Sequence, residues 1–145
     1  ALASDFAIAS KTARFVEPFV GRGFTPDSGA TYLLQRLVGL ARARQMLLLG
    51  REIDGEQAAA WGLVHEAVED EALESATEEI TSQLAESASI ALGLTKWLLH
   101  RSLDLDLADS LANEAFALEL SARSRDFKEG MAAFAQKRPP RYEGR

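Results

Sequence analysis

The chain has 145 residues, which suits one ordinary domain, and nearly half of them are apolar, which argues against disorder. Its 22 acidic and 16 basic residues give a formal net charge of -6. This balance argues against general nucleic-acid binding, because clustered Lys and Arg are needed to neutralise phosphates. The absence of cysteine excludes disulfides, thiolate metal sites and cysteine nucleophiles. With only His65 and His100 as histidines, we expect no metal site.

Short strand patterns occur at three places in the first part of the chain. Residues 5–9, DFAIA, alternate as a short buried strand does. Residues 14–19, RFVEPF, are a second candidate, which Pro18 confines to a sheet edge or to the end of a strand. A last brief strand is predicted at residues 63–68. These strands are too few to form a closed sheet. Either the rest of the sheet lies outside this chain, or the protein is helical with long loops.

Helical spacing starts after a loop that contains Gly21, Gly23 and Pro26. Asp54 and Gln57 resemble a capping box, in which Asp54 caps a helix and Gln57 reaches back. Three short helices are predicted, and a glycine ends each: one after Asp27 that ends at Gly39, one over residues 41–49 before Gly50, and one that runs from Asp54 to Trp61 before Gly62.

Everything after residue 68 reads as helix, with four apolar stripes at helical spacing before Pro139 and Pro140 stop the last helix. We therefore divide the chain into residues 1–68, with the strands and the loop, and residues 69–145, which are helical. No apolar run reaches the ~20 residues that a membrane span needs. The predicted location is cytoplasmic, with no membrane and no nucleic acid as partners.

Four segments in order resemble the crotonase superfamily, the enoyl-CoA hydratases and isomerases. DFAIASKTARF is similar to the strand and turn after the family's second oxyanion-hole segment, and GFTPDSGATYLLQRLVG to the loop and helix that follow the active site. LLLGREIDGEQAAAWGLVHEAV resembles the family's L-x-G-x-x-I-x-A-x-x-A-x-x-x-G-L-V run, and SRDFKEGMAAFAQKRPPRYEG resembles its final helix. Four such segments over one chain make chance resemblance a poor explanation.

The resemblance implies an α/β fold: the C-terminal part of a crotonase-like ββα spiral core over residues 1–68, then a helical oligomerisation and CoA-contacting region over residues 69–145. It implies an acyl-CoA thioester as substrate, no cofactor besides the CoA of that substrate, and a homotrimer or hexamer. Both backbone N–H donors of the oxyanion hole are expected upstream of Ala1. We therefore expect the 145-residue chain alone to be catalytically inactive.

Hydratases of this family are commonly assigned two glutamates, one of which follows proline in an F-x-x-P-E pattern. Here the run is FVEPF, so Phe19 stands at that glutamate position and cannot accept a proton. Glu17 is close in sequence, but on an extended segment it would lie ~7 Å from Phe19 along the strand. A solvated role for Glu17 is the favoured interpretation.

Asp27, in the PDSG run before a predicted helix, has two interpretations. As a cap it would accept N–H bonds of the first helical turn, worth ~1 kcal/mol, and the residues alone favour this. The resemblance is strongest to the phenylacetate-pathway ring-oxepin isomerases and related enoyl-CoA isomerases, in which the Asp of this motif is the acid/base residue. Phe19 and Phe24 are then expected to wall the acyl pocket, where apolar surroundings would raise the pKa of such a carboxylate.

Because the last predicted helix resembles the final helix of the family, we expect it to contact CoA. Phe134 would stack on the adenine and Lys137 would meet phosphate; the alternative is an apolar helix face with a basic last turn. The predicted function is thus an enoyl-CoA isomerase with Asp27 as acid/base. Enoyl-CoA hydration is the alternative reaction, and a catalytically inactive helical oligomerisation module is the alternative of another class.

Overall fold

The computed structural model describes residues 2–145, and these form two compact units, one that ends at Glu79 and one that begins at Ile80. In the first unit, four short strands form two separate two-stranded sheets. The parallel sheet pairs Ile8 with Glu66, and the antiparallel sheet pairs Phe15 with Ile53. The strands are β1 (Ile8–Ser10), β2 (Arg14–Phe15), β3 (Ile53–Asp54) and β4 (Glu66–Val68).

The three predicted strands are present but shorter than predicted, and β3 was not predicted. The second strand ends at Phe15 because the chain turns soon afterwards. Phe19 has right-handed helical dihedrals (φ -56°, ψ -55°) and precedes a 3₁₀ turn over Val20–Arg22. The expectation of an extended segment from residue 14 to residue 19 is therefore wrong, which matters for Glu17 below.

Three short helices build the core of the first unit, and the predicted glycines end them. Gly50 and Gly62 have left-handed dihedrals at the ends of α2 and α3. The Asp54 carboxylate accepts a hydrogen bond from the Gln57 backbone N–H at 2.8 Å, so the predicted cap is confirmed. The helices are α1 (Ala30–Val38), α2 (Leu40–Leu49) and α3 (Gly55–Trp61), and their buried side chains are Ala30, Leu34, Val38, Ala43, Met46, Leu47 and Ala58.

The rest of the chain is helical, as predicted. The boundary between the two units falls inside α4 (Leu73–Ala85), and α5 (Ser89–Ser102), α6 (Leu107–Ala122) and α7 (Arg125–Gln136) follow in the second unit. The functional division at residue 68 stays a prediction. Among the described residues, no helix combines the length and the apolarity that crossing a bilayer requires.

Backbone and carboxylate groups tie the last eight residues to α7. Asp126 is 2% exposed, and its carboxylate accepts hydrogen bonds from the backbone N–H groups of Glu143 (2.8 Å) and Gly144 (2.9 Å). Glu129 accepts two bonds from the Arg138 guanidinium, at 2.6 and 2.9 Å, and one from the Arg141 backbone N–H at 2.8 Å. These contacts fix the tail along one side of the helix.

Candidate active site

The loop that precedes α1 holds Asp27 in an unusual backbone setting. Ser28 (φ 50°) and Gly29 (φ 81°) are both left-handed, and a non-glycine residue in that region is disfavoured. Gly29 is the N-cap of α1, and no side chain caps that helix. Among the described residues, Asp27 accepts a hydrogen bond only at its backbone oxygen, from the Ala30 N–H at 2.9 Å. Strained residues of this kind persist where the surrounding structure holds them, often at functional sites.

The capping interpretation of Asp27 is therefore wrong. Two consecutive left-handed residues separate Asp27 from the first turn of α1, so its carboxylate is not presented to the free N–H groups there. The side chain is exposed, and within residues 2–145 it accepts no hydrogen bond and forms no ion pair. The carboxylate is thus available for another role.

Phe19 and Phe24 meet across the turn that precedes this loop. Their ring centroids are 5.4 Å apart and the rings are nearly perpendicular at 86°, which is the favoured edge-to-face arrangement. The backbone N–H of Phe24 donates to the Phe19 oxygen at 3.2 Å, so the turn is closed by both backbone and side chains. Phe24 remains 50% exposed, so the pair presents an apolar surface three residues before Asp27.

Glu17 differs from its prediction as a solvated side chain. It is half-buried, and within residues 2–145 its carboxylate has no hydrogen-bond or ion-pair partner. Burial, and secondarily the negative charge of Asp27, raise the pKa of the Glu17 carboxyl above its ordinary value. Glu17 is therefore a second carboxyl group, before the turn through Phe19, on which the charge of Asp27 acts. Sequence periodicity could not reveal this, because the extended geometry it assumed ends at Phe15.

Phe134 and Lys137 lie at the C-terminal end of α7. Phe134 is 82% exposed, so it does not pack within its own unit, and the buried side of α7 is formed by Asp126 and Ala133. Lys137 is left-handed (φ 52°) and its backbone N–H donates to the Phe134 oxygen at 3.2 Å. Within the described chain the Lys137 ammonium has no ion-pair partner, whereas the adjacent Arg138 is paired with Glu129.

Two further clusters were missed from the sequence. The guanidinium groups of Arg42 and Arg51 lie 5.4 and 5.3 Å from the Trp61 ring centroid, and Arg42 also donates to the Trp61 backbone oxygen at 3.2 Å. They hold the end of α3 against α2. The buried Asp126 was missed because an acidic residue at the start of a helix is normally explained by its favourable interaction with the helix dipole. No three His, Asp or Glu side chains in residues 2–145 are placed to hold a metal ion.

Comparison with known proteins identifies the family to which this chain is similar. A family model described as enoyl-CoA hydratase/isomerase matches residues 1–145. The 1,2-epoxyphenylacetyl-CoA isomerase of Escherichia coli (strain K12) is 37% identical over 145 residues, which is 100% of this chain and 55% of that protein. The short-chain-enoyl-CoA hydratase of Clostridium acetobutylicum is 36% identical over 138 residues, which is 95% of this chain and 53% of that protein.

A solved structure gives the same result at the level of the fold. The crystal structure of enoyl-CoA hydratase from Bacillus anthracis superposes with a TM-score of 0.95 at 34% identity, and covers 99% of this chain and 56% of that one. The chain thus spans about half the length of the relatives that it matches, and its fold is the C-terminal part of theirs. The chain belongs to the enoyl-CoA hydratase/isomerase family, the crotonase superfamily.

Proposed function

We propose that the chain supplies the acid/base group of an enoyl-CoA isomerase, and that Asp27 is this group. The observation that supports the proposal is that the Asp27 carboxylate, on the strained loop that follows Phe19 and Phe24, is used within residues 2–145 neither as a helix cap nor in an ion pair. A carboxylate left free at such a loop is a candidate for proton transfer. The match to an isomerase of epoxyphenylacetyl-CoA supports the same assignment.

The proposed reaction needs one carboxylate. Asp27 takes a proton from a carbon conjugated with the thioester carbonyl, and the electron pair of that C–H bond moves onto the thioester oxygen as an enolate. The protonated Asp27 then returns the proton to another carbon of the same conjugated system, and the double bond has moved. Backbone N–H donors at the enolate oxygen stabilise the charge, and each is typically worth ~3 kcal/mol.

The test is Asp27→Asn in the full-length protein, measured by exchange of deuterium from solvent into an acyl-CoA. We expect exchange to fall by at least about 100-fold, the usual size of general acid/base effects. Thermal unfolding should be unchanged, because the Asp27 side chain makes no hydrogen bond within the described chain. Glu66→Gln is the matched control, since Glu66 is an exposed carboxylate on β4. Normal exchange in Asp27→Asn would overturn the assignment.

Hydration is the second candidate, and the position of Glu17 favours it. Adding water across a double bond needs one group to activate water and one to protonate carbon, and Glu17 is the carboxyl group that senses the charge of Asp27. Incorporation of oxygen from labelled water into the product separates the two reactions: an isomerase product contains none. The third candidate, an inactive oligomerisation module, predicts no exchange in the full-length protein under any condition.

Phe134 and Lys137 are proposed to contact the nucleotide end of CoA. An aromatic ring that is 82% exposed, beside an ammonium without an ion-pair partner in residues 2–145, suits a ligand that combines a purine with phosphates. Phe134→Ala and Lys137→Ala should raise KM for an acyl-CoA and leave a short acyl-pantetheine unaffected. Equal losses with both substrates would assign these residues to the fold or to an oligomer instead.

A homotrimer or hexamer is the proposed assembly. Large apolar side chains remain exposed on α5, α6 and α7, and helices of this kind need partners. Light scattering of the full-length protein tests the proposal, and a monomer at micromolar concentration would contradict it. The side chains concerned are Leu99 (65% exposed), Leu107 (74%), Leu111 (54%), Phe116 (61%), Leu118 (64%) and Met131 (56%).

A further inference from the structure

The end of α7 contains a lysine at a position that usually belongs to glycine. Lys137 is the residue at which α7 ends, and its backbone is left-handed (φ 52°, ψ 44°). A Cβ disfavours this region, so helices that end in this way mostly use glycine. Gly50 and Gly62 have this role at the ends of α2 and α3. A lysine in the same place needs surroundings that hold its backbone, and its side chain is not required for ending the helix.

Glu129, two turns earlier on α7, holds the chain that follows Lys137. Its two carboxylate oxygens accept hydrogen bonds from the Arg138 guanidinium at 2.6 and 2.9 Å, and one of them also accepts the Arg141 backbone N–H at 2.8 Å. The side chain of Glu129 is only 25% exposed. A bidentate pair that is partly shielded from water has a fixed geometry, unlike most surface ion pairs. The chain after Lys137 is therefore drawn back along the helix.

The backbone closes the same turn from the helix side. The Lys137 N–H donates to the Phe134 oxygen at 3.2 Å, and the Arg138 N–H donates to the Ala133 oxygen at 3.1 Å. Bonds of this kind are those with which a left-handed glycine ends a helix. With lysine at this position, the contacts of Glu129 beyond the turn offset the unfavourable backbone conformation.

The two neighbouring cations at this end of α7 are used differently. The Arg138 guanidinium is engaged by protein acceptors: besides Glu129, it donates to the Gln136 side chain at 2.8 Å and to the Pro139 backbone oxygen at 3.1 Å. Lys137 is exposed, and within residues 2–145 its ammonium has no ion-pair partner. The pair between Arg138 and Glu129 thus fixes the chain, while the adjacent ammonium remains available to an anionic ligand.

We infer that Glu129 is a positioning residue for CoA, which fixes the left-handed turn at Lys137 and thereby places the Lys137 ammonium for a phosphate group. The inference rests on the proposed contact of Phe134 and Lys137 with the nucleotide end of CoA. Glu129 touches no ligand in this scheme, because Arg138 and Arg141 occupy its carboxylate. A lysine that is held in advance loses less conformational freedom on binding, which is worth about 2- to 10-fold in affinity for one long side chain.

The kinetic test measures KM and kcat of the full-length protein for an enoyl-CoA and for a short enoyl-pantetheine. Glu129→Gln keeps the size of the side chain and removes the charge that fixes Arg138. This variant should raise KM for the enoyl-CoA about 2- to 10-fold, and should leave kcat and both constants for the pantetheine substrate unchanged. Glu119→Gln, which breaks an exposed pair with Arg123 on α6, is the control and should match wild type with both substrates.

A double variant shows whether Glu129 acts through Lys137. Once Lys137→Ala is present, Glu129→Gln should raise KM no further, because residues of one network do not contribute additively. Additive effects, an unchanged KM in Glu129→Gln, or an equal loss with the pantetheine substrate overturns the inference, while the proposed CoA contact stands if Lys137→Ala alone raises KM. An unchanged KM in Lys137→Ala overturns the proposed contact and the inference together.

Lys137→Gly tests the turn without reference to turnover, because glycine adopts the left-handed conformation at no steric cost. In urea unfolding of the full-length protein this variant should be at least as stable as wild type, and in calorimetric titration it should bind free CoA more weakly. Glu129→Gln should also weaken the binding of free CoA. A loss of stability in Lys137→Gly would show that the lysine backbone needs nothing to hold it, and wild-type affinity of Glu129→Gln for free CoA would show that Glu129 does not position the ammonium; either result overturns the inference.

Discussion

Two aspartates in the first unit stand before helices and have different roles. Asp54 has extended dihedrals (φ -84°, ψ 179°) and caps α3 through the Gln57 N–H, whereas Asp27 is followed by two left-handed residues and caps nothing. Both residues are aspartates, and an α-helix follows each of them. The backbone between the aspartate and the helix therefore decides the role, and a left-handed Ser-Gly pair leaves a carboxylate free where an extended residue would commit it to the helix.

The largest effect that tests this comparison comes from the first glycine after each aspartate, Gly55 after Asp54 and Gly29 after Asp27. A Cβ on Gly55 would lie 1.9 Å from the Ser10 backbone oxygen and 3.0 Å from the Lys11 Cα. Because neither backbone atom can move away freely, we expect Gly55→Ala to destabilise the protein by about 3 kcal/mol or more. Urea unfolding followed by circular dichroism provides the measurement.

Gly29→Ala is the matched variant at the other helix. The added Cβ meets only the Leu33 side chain at 3.7 Å, which is ordinary contact, so the cost is limited to the left-handed backbone (φ 81°). That conformation costs an L-residue roughly 1 to 2 kcal/mol. If Gly29→Ala proved as damaging as Gly55→Ala, the loop before α1 would be as tightly packed as the start of α3, and the comparison would fail.

The second-largest expected effect on stability comes from replacing the aspartates themselves. Asp54→Ala should cost about 1 kcal/mol, because it removes the bond to the Gln57 N–H. Asp27→Ala should change stability by less than about 0.5 kcal/mol, as exposed substitutions without special contacts do. Activity should respond in the opposite sense: proton exchange is expected to survive in Asp54→Ala and to be lost in Asp27→Ala. Equal destabilisation by the two variants would restore the capping interpretation.

Asp27 and Asp54 also show how much of the structure could be predicted from the sequence. Helix positions, the glycines that end them and the Asp54 cap followed from local patterns, because each depends on neighbours within four residues. The capping-box contact from the Gln57 side chain was also predicted, and it does not form among the described residues. The effect of the Asp27 charge on Glu17 was missed, since local patterns did not predict that the chain leaves the extended conformation before Phe19.

The smallest effect concerns Glu129, a carboxylate that, like Asp54, is held by donors, and its contribution to stability is lost in acid. The Arg138 guanidinium and the Arg141 backbone N–H lower the pKa of Glu129 from 4.5 to about 2. A carboxyl with a lowered pKa in the folded state contributes stability above its unfolded pKa, and this is lost as the pH falls toward the folded pKa. The contribution should therefore be complete near neutral pH and disappear between about pH 5 and pH 2.

Glu129→Gln isolates this effect, because it removes the charge and leaves the shape of the side chain. The variant should be slightly less stable than wild type near neutral pH, and the difference should vanish as the pH approaches the lowered pKa of about 2. Glu119→Gln is the control: Glu119 pairs with Arg123 four residues away on the exposed side of α6, and such pairs contribute little. Thermal melts across this pH range provide the measurement. A stability difference between Glu129→Gln and wild type that stays constant down to the lowest pH would show that the charge of Glu129 does not hold the tail, although its carboxylate accepts three hydrogen bonds. The tail would then be held by the hydrogen bonds that the Asp126 carboxylate accepts from the Glu143 and Gly144 backbone N–H groups.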